Sequence, residues 1–415
     1  MTTPKKSHPS RVQPYRLIAR LVLLASLVSL CSSLAISQNN ASTFRELSEK
    51  ARTASEENRL EDAATLYRKA LALRPRWAEG WWSLGTLQYD QNHYADAAAS
   101  FAKLLALQPE NGTAHAMLGL CQVELKQDER ARQNLSLAQQ QGVQNDRQLQ
   151  HVVLYQLAGA QLRLRRFGDA ASNLALLVQD GVRSDEVALG MGMAVLTMPP
   201  VSLPVTGTPG RDVVERVGRA ETLSTMKEFA AAKQIYTSVG SEYPSYPNLH
   251  YAFGRFLLEA HEADEAVEEF RKQLQNDPRH VGALLQIAAV LYRTDSANGV
   301  KYAEQALKLS PQLPFAHYLV GLLCVDTDRA AEALPHLQIA QRAFPKEAQV
   351  YFALGNAYAR LGRKADAARM RAEFVRLNTA QKAQKEATDS GIYGDQSFAF
   401  SEKLQQQATR PPPRP

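Results

Sequence analysis

Cysteine is scarce in this sequence, with three among 415 residues. That excludes a disulfide framework, so stability must come from packing. Several chemical signatures are missing as well. No G-x-x-x-x-G-K-[ST], G-x-G-x-x-G, G-x-S-x-G, H-E-x-x-H or C-x-x-C occurs. Phosphate cradles, nucleophile elbows and zinc helices therefore have no sequence support. Apart from one stretch near the N-terminus, no apolar run is long enough to span a bilayer. Gly and Pro, 22 and 20 residues, stand at ordinary usage, which excludes collagen-like and low-complexity chains. Hydrophobic residues at 45% and charged residues at 22% describe a chain that folds.

The formal charge of +6 invites a nucleic-acid reading. Five of the 48 cations, Lys5, Lys6, Arg11, Arg16 and Arg20, lie in the first 37 residues, which contain no acid. The other 43 are balanced by 42 carboxylates. The body thus has no bulk electrostatic reason to bind DNA, RNA or anionic lipid.

Those five cations precede the uncharged run Leu21–Ile36 (LVLLASLVSLCSSLAI), then Ala35-x-Ser37 and a polar stretch. A positive start, a short apolar run and small exit residues describe a secretory signal peptide over 1–37, cleaved after Ser37. An uncleaved anchor is the alternative, with Leu17–Ala19 extending the run across Arg20. Cys31 suggests lipoprotein processing, but the bulky Leu30 before it is a poor fit.

The body repeats. Pro75 and Pro109 are 34 residues apart; Pro244, Pro278, Pro311 and Pro345 follow one another at 34, 33 and 34. Each ends a similar segment: LYRKALALRP, SFAKLLALQP, EFRKQLQNDP, YAEQALKLSP and HLQIAQRAFP. Proline stops a helix, and upstream of each lie two stretches with apolar residues at i, i+3, i+4 and i+7.

One copy reads Trp81-x2-Leu84-Gly85, Ala97-x3-Phe101, Pro109, with Gln88 in the slot where Tyr is expected and Tyr89 next to it. Others read Phe253-Gly254, Ala266-x3-Phe270, Pro278; Val320-Gly321, Ala333-x3-Leu337, Pro345; and Tyr351-x2-Leu354-Gly355-x2-Tyr358, Ala367, without the proline. This pattern resembles the tetratricopeptide repeat family. Small residues such as Gly85, Ala97, Gly254 and Ala266 let paired helices approach; Trp81, Leu84, Phe101 and Phe270 fill the space between hairpins. The resemblance implies an all-α, right-handed superhelical solenoid of about nine helix hairpins. The repeats run near 44–77, 78–111, 112–145, 151–184, 213–246, 247–280, 281–313, 314–347 and 348–381, those from 44, 112, 151 and 281 being weak. An N-terminal array of about four spans 44–184, and a C-terminal array of about five spans 213–381.

Residues 185–212 break the period. The first half reads as a helix, and the second, with Pro199, Pro200, Pro204 and Pro209, as an extended connection. Two readings stand: a repeat whose second helix has decayed, or a loop that crosses a groove or hinges two arrays. Residues 382–415, ending Arg410-Pro-Pro-Pro-Arg-Pro415, read as a disordered tail after a fraying helix. A Pro-rich end also suits a docking peptide, against the plainer solvated tail.

Chemistry is hard to find. His115, His250 and His317 share the slot of Trp81. A metal reading competes there with a polar-tipped packing residue. Cys121 and Cys324 read as small buried hydrophobes, and stacking keeps them apart. Asn40, Asn111 and Asn134 sit in N-x-[ST] sequons, relevant only in a eukaryotic secretory host. We expect no catalytic residue, no metal and no cofactor.

The resemblance also implies a concave groove lined by the first helix of each hairpin. Its positions here hold Trp82, Tyr89, Tyr155, Tyr251, Tyr292, Phe315, Tyr318 and Phe352, with Arg163, Arg255, Arg293, Arg360 and Asn356 between them. Tyr and Arg favour recognition surfaces; the competing reading makes several of these rings core. The family's clamp for a peptide's terminal carboxylate is not reproduced, since Ser48, Arg52, Trp82 and Thr86 occupy its positions. The expectation is an exported, non-enzymatic scaffold, periplasmic or secreted, that binds a protein or peptide. It binds no nucleic acid and meets membrane only through a retained leader. An inner-membrane-anchored assembly subunit of an envelope complex is the alternative; a glycan-binding or enzyme-associated repeat protein is more remote.

Overall fold

The computed structural model describes residues 40–143 and 146–387. The leader 1–37, with Cys31, and the expected tail beyond residue 387 lie outside the described residues. Nineteen α-helices and no strand occur among those described. None of these helices is long and apolar enough to cross a membrane. The helices fall into two compact units, one up to Val153 and one from Leu154.

The first unit holds α1 (residues 40–56), α2 (Leu60–Leu73), α3 (Ala78–Asp90), α4 (Tyr94–Leu107), α5 (Gly112–Glu124) and α6 (Asp128–Gln141). They pair as three hairpins. Ala51, Ala54, Ala63, Ala64, Tyr67, Leu71, Leu84 and Leu87 form one core cluster, and Ala97, Phe101, Leu104, Ala114, Leu118 and Cys121 another.

The second unit takes up α7 (Arg147–Arg163) from Leu154. It continues with α8 (Phe167–Gln179), α9 (Asp185–Val195), α10 (Pro209–Thr225), α11 (Phe229–Glu242), α12 (Leu249–Glu259) and α13 (Ala263–Asn276). Then come α14 (Val281–Val290), α15 (Ser296–Leu309), α16 (Pro314–Asp326), α17 (Ala330–Ala343), α18 (Ala348–Arg360) and α19 (Lys364–Ala387). All but α9 form two-helix hairpins. The sequence reading ends the last repeat at 381; α19 continues to Ala387, because no proline stands where the earlier second helices stop.

Helix α13 shows why these segments are helical. Ala266, Val267, Phe270 and Gln273 are buried on one face, and Asp264 and Glu265 complement the N-terminal dipole. The helix ends at Asp277, just before Pro278. Its partner α12 approaches closely through Gly254: a methyl there would lie 2.5 Å from the ring of Phe270. Gly321 of α16 likewise leaves room for Leu337, 2.6 Å from a methyl. Small residue against large is thus the rule at these hairpin interfaces.

First helices end alike. Asn58, Asn92, Lys126, Arg165, Lys227, His261, Asp328 and Gly362 each have positive φ at the turn into the second helix. The amide after this residue closes back onto the last helical turn, as in His93 N–H to the Gln88 carbonyl (2.8 Å) and Arg329 N–H to that of Cys324 (2.8 Å).

Helix α9 ends the same way. Thr197 has φ 53°, and the Met198 amide donates to the Met193 carbonyl over 2.8 Å. No second helix follows. The chain makes one 3-10 turn, Pro200–Ser202, and reaches α10, whose N-cap Thr208 accepts from the Arg211 amide. α9 packs directly on α10. A Cβ on Gly192 would collide with the Val214 carbonyl, and one on Gly218 with that of Ala188. Asp185 pairs with Arg219 at 3.9 Å. These contacts rise along one helix and fall along the other, so α9 and α10 are antiparallel.

Candidate protein-interaction faces on the first helices

Geometry divides the thirteen sequence-predicted residues into three groups. Phe315 and Tyr318 are core: their rings stack at 6.1 Å, with relative exposures of 0% and 6%, among Leu284, Leu285, Leu319 and Val350. This corrects their placement in a groove. They lie early on α16, where bulky side chains fill the joint with the neighbouring hairpin. Burial also pushes the Tyr318 phenol far above its ordinary value.

Trp82, Tyr251 and Phe352 are half-buried. Each leans on a phenylalanine of its own second helix: Phe101 at 5.6 Å, Phe270 at 5.8 Å and Phe374 at 5.4 Å. Tyr89, Arg255 and Asn356 are also partly covered. Burial first, then Cys121, Tyr94 and the carboxylates of Glu124 and Asp90, push the Tyr89 phenol up.

The third group is exposed. Tyr155 is exposed, with 40% of the residue's surface accessible, and Arg163 follows two turns later on α7. Arg360 ends α18 and pairs with Asp328. Arg293 is exposed but off the helix, a second correction: α14 stops at Val290, so Tyr292 and Arg293 lie in the following turn. The Arg293 guanidinium sits 5.1 Å from the centre of the Tyr292 ring.

Sequence reasoning missed a recurring clasp. The side chain in the fourth position of a repeat reaches back six residues to a proline carbonyl. Trp81 Nε1–H donates to Pro75 (2.8 Å), Tyr351 O–H to Pro345 (3.0 Å), and Nε2 of His115, His250 and His317 meets Pro109 (3.0 Å), Pro244 (2.8 Å) and Pro311 (3.1 Å). The sharing of one slot by Trp, His and Tyr was the available signal; each ends in a donor.

The histidines make a second contact, nineteen residues on. His115 Nδ1 meets Asn134 Oδ1 at 2.9 Å, His250 Nδ1 meets Glu269 Oε2 at 2.6 Å, and His317 Nδ1 meets His336 Nδ1 at 2.7 Å. Both His250 nitrogens face oxygen atoms, of Glu269 and of Pro244. Burial works to raise the Glu269 carboxyl, but the bonds from His250 and Lys272 outweigh it and hold the group below its ordinary value. At the His317–His336 contact one nitrogen donates and the other accepts. Burial, then His317, lowers the His336 imidazole.

Buried amides form a further series. Gln88 meets Ser100, and Asn134 and Asn173 donate to Gln122 and Gln161, each pair twelve residues apart. Among the described residues no group of three His, Cys, Asp or Glu could hold a metal. Cys121 and Cys324 are free, buried thiols, and burial pushes Cys121 up to about 12.

The model of the tetratricopeptide repeat matches residues 48–92 and 83–145, and that of the cilia and flagella-associated protein 70 middle TPR-like domain matches residues 220–378. The chain belongs to the tetratricopeptide repeat family. Superkiller protein 3 of Schizosaccharomyces pombe (strain 972 / ATCC 24843) is 27% identical over 128 residues, which cover 29% of this chain and 9% of that protein. The chain thus spans a small part of that relative's length. Among solved structures, MamA 41-end from Desulfovibrio magneticus RS-1 is 20% identical, with a TM-score of 0.36, covering 40% of this chain and 97% of that one. A tetratricopeptide repeat protein from Parabacteroides merdae ATCC 43184 is 15% identical, with a TM-score of 0.32, covering 68% and 99%. Tetratricopeptide repeat proteins generally mediate protein–protein interaction.

Proposed function

We propose that this tetratricopeptide repeat protein is an exported, non-enzymatic scaffold that holds a protein or peptide partner against the exposed faces of its first helices. One observation carries the reading: on α7, Tyr155 leaves a large ring in solvent and Arg163 follows on the same helix. Tyr and Arg are residue types that recognition surfaces favour. Arg255, Asn356 and Arg360 extend the same residue types to α12 and α18. Export rests on the composition of residues 1–37.

The test places a photo-crosslinking residue at Tyr155, Arg255 or Arg360, and at the exposed Lys308 on the second helix α15, in the natural host. Products from the three first-helix sites and not from Lys308 support the reading; products from Lys308 alone overturn it. Intact mass of the same protein reports export. A species starting near Gln38 in an envelope fraction is expected. A membrane-bound species keeping residues 1–37 would favour the anchored subunit instead.

A further inference from the structure

A cavity of about 280 Å³ opens in the first unit between α3, the end of α4 and the start of α5. Ala78, Trp82 and Leu104 give it an apolar side; Glu79, Ser83, Gln108, Asn111 and Thr113 give it a polar rim. Ligand pockets for small molecules run from about 300 to 1,000 Å³. This one is at or below the bottom of that range and suits a single side chain.

Of the residues that line the cavity, Glu79 alone is charged. The Glu79 carboxylate has no hydrogen bond or ion pair among the described residues. The indole N–H of Trp82 is likewise without a partner, while the ring is braced edge-on against Phe101 at 5.6 Å. An anion has less to gain here. The α5 N-terminus is already capped, since the Asn111 side chain accepts from the Ala114 amide and donates to Gln108 Oε1, both at 2.9 Å.

We propose that this cavity receives an arginine side chain of the partner, the guanidinium against the Trp82 face and its N–H groups on the Glu79 carboxylate. Arginine fits better than lysine: its flat cation stacks on an indole and bonds a carboxylate in two places. This deepens the scaffold reading by naming what one first-helix face reads.

The sequence has three tryptophans, Trp77, Trp81 and Trp82. The full chain labelled with 5-fluorotryptophan therefore gives three fluorine signals, and Trp82→Phe assigns one. The probes are acetyl-Gly-Arg-Gly-amide and its Lys, Gln and Glu counterparts. The Arg peptide is expected to shift the Trp82 signal saturably, at least about tenfold more tightly than the Gln peptide, a difference of about 1.4 kcal/mol. Glu79→Gln should weaken the Arg peptide by a similar factor, with the Trp77 and Trp81 signals unmoved as the control for folding. Added salt should weaken it as well. Equal binding of Arg and Gln peptides, or an unchanged Glu79→Gln, overturns the proposal. Equal binding of Lys overturns the stacking assignment, and preference for the Glu peptide reverses the charge argument. None of these outcomes touches the crosslinks at Tyr155, Arg255 and Arg360, so the two readings fail separately.

Discussion

Tyr155 and Tyr318 look alike in the sequence, as aromatic residues early on first helices. Their surroundings differ: Tyr318 meets Phe315 and the apolar α14, while Tyr155 meets solvent. Truncating Tyr318 or Phe315 to Ala should cost about 3–5 kcal/mol, as losses of buried aromatics do. Tyr155→Ala should stay within about 0.5 kcal/mol. Urea unfolding of the three variants decides between core and surface, and a similar loss at all three would refute the division. The sequence offered no means of separating them. The second position of a first helix holds Glu79 and Thr113 in the first unit and Phe315 in the second. Burial there follows from what the neighbouring hairpin supplies, not from the slot.

Helix hairpins, by contrast, were readable, because proline stops at 33 or 34 residues and Gly–large pairs are properties of the chain itself. The left-handed turn was only partly readable. Asn58, Asn92 and Gly362 suit positive φ, but Lys126 and Arg165 adopt it without suiting it. The eight turns impose the conformation whatever residue stands there. Lys126→Gly and Arg165→Gly should therefore stabilise the protein by about 0.5–1 kcal/mol each. Asn92→Gly should gain less, since Asn tolerates the conformation. Thermal melts would show this as higher midpoints; a fall for both Lys126→Gly and Arg165→Gly would mean that the lost side chains mattered more than the backbone.

The whole chain should lose stability in acid in two stages. His336 and His280 are both held below the ordinary imidazole value, chiefly by burial. The unfolded chain then binds more protons than the folded one as pH falls from about 6.5, and stability drops through that window. Glu269 is held below the ordinary carboxylate value, so its contribution is complete above about 4.3 and is lost below it. Melting midpoints at pH 7.5, 5.5 and 4 should fall stepwise. His336→Gln should flatten the first step and leave the second. An unchanged first step would show that the His317–His336 contact does not sense protons.

The unpaired α9 has a consequence for polarity. Hairpins add helices in twos, so successive first helices point the same way. An odd helix breaks that bookkeeping. Because α10 runs against α9, the series α10, α12, α14, α16 and α18 points opposite to α7 within the second unit. What a helix offers at its two ends differs as well: amides and positive partial charge at the N-terminus, carbonyls and negative partial charge at the C-terminus, so a ligand group that suits the starts of α12 to α18 meets the opposite chemistry at the corresponding end of α7.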